Sequence, residues 1–210
     1  MARRTKEDAL ATRELLLDAA ERVFHRRGVS RTTLQEIAQD AGLTRGAIYW
    51  HFQNKGELFH AMMERVTLPM MARMTEISPA DEDRPLEKIR RNTAAALQQI
   101  AHDAQVRRVF EIATQKVEYV DEMLSMRERH ISGRNECIDD TLRLMQMAHD
   151  KGHIRSDMDL RSATLGLFAL IGGLKYHWLL DPQAFDLEAV GAATLDAYLA
   201  GLAVKPPPAS

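Results

Sequence analysis

Two threonines that can each begin a helix, Thr33 and Thr44, flank a single glycine, Gly42, and that spacing leaves room for little except two short helices crossing at a tight turn. Thr33 with Glu36 fits a capping box: the threonine oxygen takes an orphan N–H at the start of the helix and the glutamate reaches back to the cap. Ile37, Ala38 and Ala41 follow as an apolar stripe at helical spacing. Gly42 can adopt the left-handed backbone that ends this helix, and Leu43 can fold back onto it. Thr44 caps a second helix whose inner face is Ala47, Ile48 and Phe52. The unit is a helix-turn-helix, and the second helix of such a unit can enter a major groove.

If Ile48 and Phe52 face inward, Arg45, Tyr49 and Trp50 or His51 are left toward solvent. Aromatic side chains placed outward expose area that water disfavours, so the face calls for a partner. Duplex DNA fits it. Arg45 can donate a bidentate pair to guanine, and Tyr49, His51 and Lys55 can reach phosphates. Gly46 lets the backbone approach a base edge. The candidate DNA-binding set is Thr33, Thr44, Arg45, Gly46, Tyr49, Trp50, His51 and Lys55.

The charge distribution agrees. Residues 1–55 carry ten Lys and Arg against seven Asp and Glu, a net of +3, whereas the remainder is at −5 within a chain total of −2. A basic end on an acidic body suits a protein that docks one end on phosphate. Other classes find no support. No G-x-S-x-G, phosphate-cradling glycine loop, H-E-x-x-H or Cys–His pair is present, so no enzyme is expected. His149 and His153 stand four apart, but Gly152 interrupts the helix between them and no third ligand is evident, so neither metal nor cofactor is expected. The single cysteine, Cys137, excludes an intramolecular disulfide. The most apolar stretch, 163–180, contains Lys175 and His177 and reads as a buried helix, not a membrane span. With no apolar signal core near the N-terminus, a cytoplasmic location is expected.

The rest of the pattern is helical. Residues 1–7 read as a basic arm (Arg3, Arg4, Lys6) that can touch DNA, followed by a first helix over 8–27 that Gly28 stops. A fourth helix begins at Asn54 and meets Pro69, which is expected to kink or end it and is the expected mechanical joint. A loop over 78–85 leads to a fifth helix from Pro85 to about His102. A sixth carries Val106, Val109, Phe110, Ala113 and Val117; a seventh covers about 121–151, an eighth about 159–180 and a ninth about 187–204. The fold class is all-α with about nine helices: residues 1–53 form a three-helix DNA-binding domain, residues 54–204 a helical domain, and 205–210 a disordered tail. The eighth helix is apolar nearly all round, so one of its faces requires a partner, and a two-fold homodimer through the eighth and ninth helices is expected.

The runs Thr-Thr-Leu-Gln-Glu-Ile-Ala, Gly-Leu-Thr-Arg-Gly-Ala-Ile-Tyr-Trp-His-Phe and Asn-Lys-Gly-Glu-Leu-Phe resemble the DNA-binding signature of TetR-type repressors. Together with the opening Ala-Arg-Arg-Thr-Lys-Glu-Asp-Ala, they are similar to the AcrR-like branch, which represses multidrug efflux pump genes. The specific part of the likeness covers roughly residues 3–65, and Gly56 departs from it where a better helix former is usual. The resemblance implies a homodimer that reads a palindromic operator and is released by a small lipophilic ligand bound in the C-terminal domain. It also favours a pocket over plain core for Met70, Leu97, Phe110, Thr114, Met145, Phe168 and Ile171, with Glu111, Gln115, Glu118, Asn135 and Tyr176 as candidate polar anchors. Two other readings use the same residues: an activator or ligand-blind repressor with the same DNA end, and a small-molecule binding protein or enzyme that does not touch DNA.

Overall fold

The structure, a computed structural model, describes residues 2–118 and 124–204. Within them the chain forms α1 (Ala2–Arg27), α2 (Leu34–Asp40), α3 (Arg45–His51), α4 (Lys55–Thr75), α5 (Pro79–Asp83), α6 (Pro85–His102), α7 (Ala104–Gln115), α8 (Leu124–Asp150), α9 (Leu160–Leu180) and α10 (Leu187–Leu202). The all-α class is as expected, with ten helices among the described residues instead of about nine. The additional one is α5. Ser78 accepts from the Asp81 N–H and Asp81 accepts from the Ser78 N–H, a complete capping box with Pro79 in the first turn. The tail at 205–210 and the expected start of the seventh helix at 121–123 lie outside the described residues. At the N-terminus α1 already begins at Ala2, so the backbone of the expected arm continues the helix; nothing before Gly28 breaks it.

Two compact units divide the chain, one of residues 1–68 with 104–131, the other of 69–103 with 132–210. The division falls at Leu68–Pro69, inside α4, which runs past Pro69 to Thr75 without ending there.

In the first unit α1 packs against α2 and α7. Leu16, Leu17, Ala20, Val23 and Phe24 of α1, Ile37 of α2, Ile48 of α3, Leu58, Phe59 and Met62 of α4 and Val109 and Ile112 of α7 are all buried. Burying each of these side chains other than Ala20 is worth about 1.5–3 kcal/mol. A buried carboxylate, Glu21, crosses this core. It accepts from Arg108 at 2.6 Å, Arg65 at 3.0 Å and the Gln105 amide at 3.2 Å, so α1, α4 and α7 share one polar centre. Farther along, the Val29 N–H donates to the Lys116 carbonyl at 2.9 Å, where Gly28 at φ 81° turns the chain out of α1.

In the second unit α10 packs on α6 and α9 around Ile89, Leu144, Met145, Ala148, Leu167, Leu195 and Leu199. The end of α10 is fastened by an isolated antiparallel bridge between Ile154 and Ala203. The last turn of α4 is closed by Lys88, whose buried ammonium donates to the carbonyls of Arg73 (3.4 Å) and Glu76 and pairs with Asp81 at 3.3 Å. The Ser78 N–H, the Ser78 hydroxyl and Arg91 hold the Asp81 carboxyl far below the usual carboxylate range.

Candidate nucleic-acid interface

The local chemistry of 32–55 determines how the interface is presented. Thr33 extends at φ −107° and accepts from the Glu36 N–H, while the Glu36 carboxylate takes the Thr33 N–H at 2.8 Å. Those bonds, first the Thr33 N–H and then its hydroxyl, with Arg27 adding attraction, keep the Glu36 carboxyl below its ordinary range. At the other end of α2, Gly42 stands at φ 68°, with Leu43 N–H donating to Ala38 and Gly42 N–H to Gln39. This left-handed turn satisfies the last carbonyls and aims the chain into α3. Thr44 then accepts from the Ala47 N–H at 3.2 Å. Asp40 braces α2 against α1 through Arg22 and Arg26, each at 2.8 Å, and Arg27 pairs with Glu36. A seven-residue helix has too few internal bonds to hold itself, so its Thr44 cap, the burial of Ile48 and the braced α2 before it fix α3.

With Ile48 and Phe52 buried, α3 turns the expected face outward. Trp50 is 72 % exposed, Tyr49 is 47 % exposed, and Arg45 and Gly46 are exposed as well. The Arg45 guanidinium lies over the Tyr49 ring at 5.4 Å, which orders it without burying it. A Cβ added at Gly46 would meet nothing nearer than the Thr44 hydroxyl at 3.9 Å, so the position is open on its outer side. His51 is half-buried, edge-on to Trp50 at 4.5 Å; burial, then the charge of Arg13, holds its pKa below the ordinary histidine value. Lys55 is half-buried and donates to the Ser30 carbonyl at 3.1 Å, which ties the start of α4 to the turn before α2. Thr33 and Thr44 are exposed at their caps.

Pattern reasoning passes over one residue at this face. Arg13 of α1 places its guanidinium 5.3 Å from the centre of the Phe52 ring, at the end of α3. An arginine in the first half of α1 reads as a solvated charge, and only the tertiary approach of α1 to the end of α3 brings it there.

The candidate ligand residues divide between the two units. Phe110, Glu111, Thr114 and Glu118 lie in the first. There Glu111 faces His25 at 3.0 Å, Thr114 donates to the Phe110 carbonyl at 2.7 Å, and Glu118 is exposed, its carbonyl accepting from Ser30. Met70, Leu97, Asn135, Met145, Phe168, Ile171 and Tyr176 lie in the second. Leu97 and Met145 are fully buried. Met70, Phe168 and Ile171 are half-buried, Tyr176 is exposed, and Asn135 is exposed and accepts from Arg134.

Among the described residues one helix, Leu160–Leu180, is long and apolar enough to cross a membrane by length and composition; only 28 % of its most apolar window is buried within the chain. Leu165 and Leu180 are 44 % and 56 % exposed along it, and burial pulls the ammonium of the half-buried Lys175 below the ordinary lysine range. Among the described residues no three His, Cys, Asp or Glu side chains are grouped so as to hold a metal ion.

Residues 16–62 match the model of bacterial regulatory proteins of the tetR family, and residues 84–204 match that of the C-terminal region of MAATS-type transcriptional repressors. The HTH-type transcriptional regulator TtgR of Pseudomonas putida is 40 % identical over 189 residues, covering 89 % of each chain. NalD, the secondary repressor of the MexAB-OprM multidrug efflux pump in Pseudomonas aeruginosa, superposes with a TM-score of 0.81 at 34 % identity, over 94 % of this chain and 98 % of NalD. SmeT, the repressor of the Stenotrophomonas maltophilia multidrug efflux pump SmeDEF, gives 0.81 at 34 % identity over 96 % of each chain. Its complex with triclosan gives 0.84 at 33 % identity, over 95 % of this chain and 99 % of SmeT.

Proposed function

The chain belongs to the TetR family of bacterial regulatory proteins, and from that premise we propose that it is a homodimeric repressor of a multidrug efflux operon, released from its operator when a small lipophilic ligand binds. The observation that carries the reading is the outward face of α3, where Arg45, Gly46, Tyr49 and Trp50 are exposed on a helix capped and braced into position. Such a face costs solvation in the free protein and is repaid in a groove. In this reading the DNA-binding domain is 1–53, the ligand and dimer functions lie in 54–204, and the protein works in the cytoplasm, where its DNA is.

The dimer forms through α9 and α10. An apolar helix left mostly uncovered by its own chain supports this, as does geometry: two recognition helices read a palindrome only when held ~34–36 Å apart or a multiple of it. Ligand release is supported by the likeness to SmeT, whose complex holds triclosan. A tenfold loss of operator affinity requires about 1.4 kcal/mol of coupling, within the usual allosteric range.

The test is recovery of the DNA fragments the purified protein retains from its own genome, followed by titration of the recovered site with triclosan and other lipophilic compounds. The reading expects a palindrome beside transporter genes and a complex that at least one compound dissociates. A site unconnected with transport, or a complex indifferent to every compound, would contradict it.

A further inference from the structure

The DNA-binding candidates of the helix-turn-helix all lie between Thr33 and Lys55, yet the exposed end of α3 is completed by a residue of α1. Arg13 holds its guanidinium 5.3 Å from the Phe52 ring centre, and Phe52 is buried. The guanidinium therefore lies over an aromatic ring at the end of the recognition helix. Arg13 keeps 38 % of its side chain exposed, and among the described residues it pairs with neighbouring Glu14 at 3.9 Å, the Glu14 carboxylate itself being 54 % exposed. A pair that long at the surface contributes little and yields readily to a phosphate. Beside it stand His51 and, edge-on to His51, the outward Trp50.

We infer that Arg13 is a DNA phosphate contact, held ready by its stack on Phe52, that extends the footprint of α3 onto the adjoining strand backbone. This rests on the DNA-binding reading above. α1 is an unbroken helix from Ala2, and exposed Lys6 lies seven residues before Arg13, two turns away on the same face and about 10 Å along the axis. The contact thus sits at the root of a helical basic edge instead of on a loose arm. It carries no base information; it fixes the register in which Arg45 meets the bases.

The test compares the full-length protein with Arg13→Gln and Arg13→Lys on a duplex selected by the wild type, between ~50 and ~200 mM salt, where each lost phosphate contact flattens the dependence of log affinity on log salt by about 0.9. Arg13→Gln is expected to flatten it by about that amount and to bind about fivefold more weakly at ~150 mM. Arg13→Lys, which keeps the charge, is expected to keep the wild-type slope. A second measurement locates the contact and checks the fold of the variant: methylphosphonates placed singly at the outer phosphates of the half-site should include one position that weakens the wild type and leaves Arg13→Gln unaffected, while the other contacted positions weaken both proteins alike. Parallel salt slopes, flattening in Arg13→Lys as well, or no such phosphate would each overturn the assignment and leave Arg13 a packing residue. A wild type whose binding to every duplex is insensitive to salt would instead defeat the DNA-binding reading itself.

Discussion

Arg108 of α7 donates to the buried carboxylate of Glu21 on α1 across 2.6 Å, and through that carboxylate α7 and α4 hold the helix that carries the DNA-binding module. The Glu21 side chain is 4 % exposed, whereas Arg65 and Arg108 are 18 % and 40 % exposed. Removing the carboxylate takes the buried acceptor from Arg108 and from one arm of Arg65, whose other arm keeps Asp18 and Glu14.

Glu21→Ala should therefore destabilise the protein by about 2–3 kcal/mol, below the full cost of breaking a buried pair because Arg108 can turn to water. Asp18→Ala, which removes a half-exposed partner of the same Arg65, should cost less than about 1 kcal/mol. Urea denaturation midpoints at constant slope measure both. Equal losses would mean that the buried centre contributes no more than the surface pair.

Asp40 supplies a pH dependence with a definite sign. Its bond from Arg26, and then Arg22, lower the carboxyl against an opposing burial cost, so its pKa is lower folded than unfolded. Its contribution is present above the unfolded value of about 3.9 and is lost as pH falls through the folded pKa. Asp40→Asn should remove up to about 1 kcal/mol at neutral pH and make the decline below pH ~4 less steep. An acid limb unchanged in the variant would refute the assignment.

How far the interface could be read from sequence depended on how local its causes are. Thr33, Glu36, Gly42 and Thr44 act within a few residues of themselves, and their bonds form as the spacing predicts. Ser78 and Asp81 carry the same signal, yet the surrounding prolines and acids gave the reading of a plain loop; Pro79 in fact sits where a helix tolerates it. Pro69 suits a kink or an end of α4; it does not end the helix, which runs on to Thr75, its last carbonyls taken by Lys88 from α6. Arg13 on Phe52 and Glu21 on Arg108 join residues 39 and 87 positions apart, and no periodicity within one helix reports such pairs. Met145 illustrates the reverse problem: a methionine at helical spacing suits a pocket or a core alike, and it is fully buried.

Gly191 marks a close approach in the second unit. A Cβ there would stand 2.4 Å from Cδ1 of Leu97, itself only 1 % exposed and with little room to turn. Gly191→Ala should destabilise by about 1–2 kcal/mol, overpacking outweighing the better helix propensity of alanine. In a Leu97→Ala background the same change should be neutral or stabilising. Additive effects across this double-mutant cycle would show that the two positions do not meet.

The exposed apolar residues of α9 predict the behaviour of the assembly. Leu165→Glu combined with Leu180→Glu should shift the protein toward monomer in sedimentation and weaken operator binding, while leaving the helical signal intact. A dimer unaffected by both charges would move the interface away from α9.

The most direct measurement is a salt titration, followed by fluorescence anisotropy, of the full-length protein and Arg45→Ala on a duplex selected from its own genome. The account predicts a linear fall of log affinity with log salt for the wild type. For Arg45→Ala it predicts a loss of about 1–3 kcal/mol and relaxed preference at one base pair per half-site. Wild-type binding that ignores salt, or an Arg45→Ala protein with unchanged affinity and sequence preference, would contradict it.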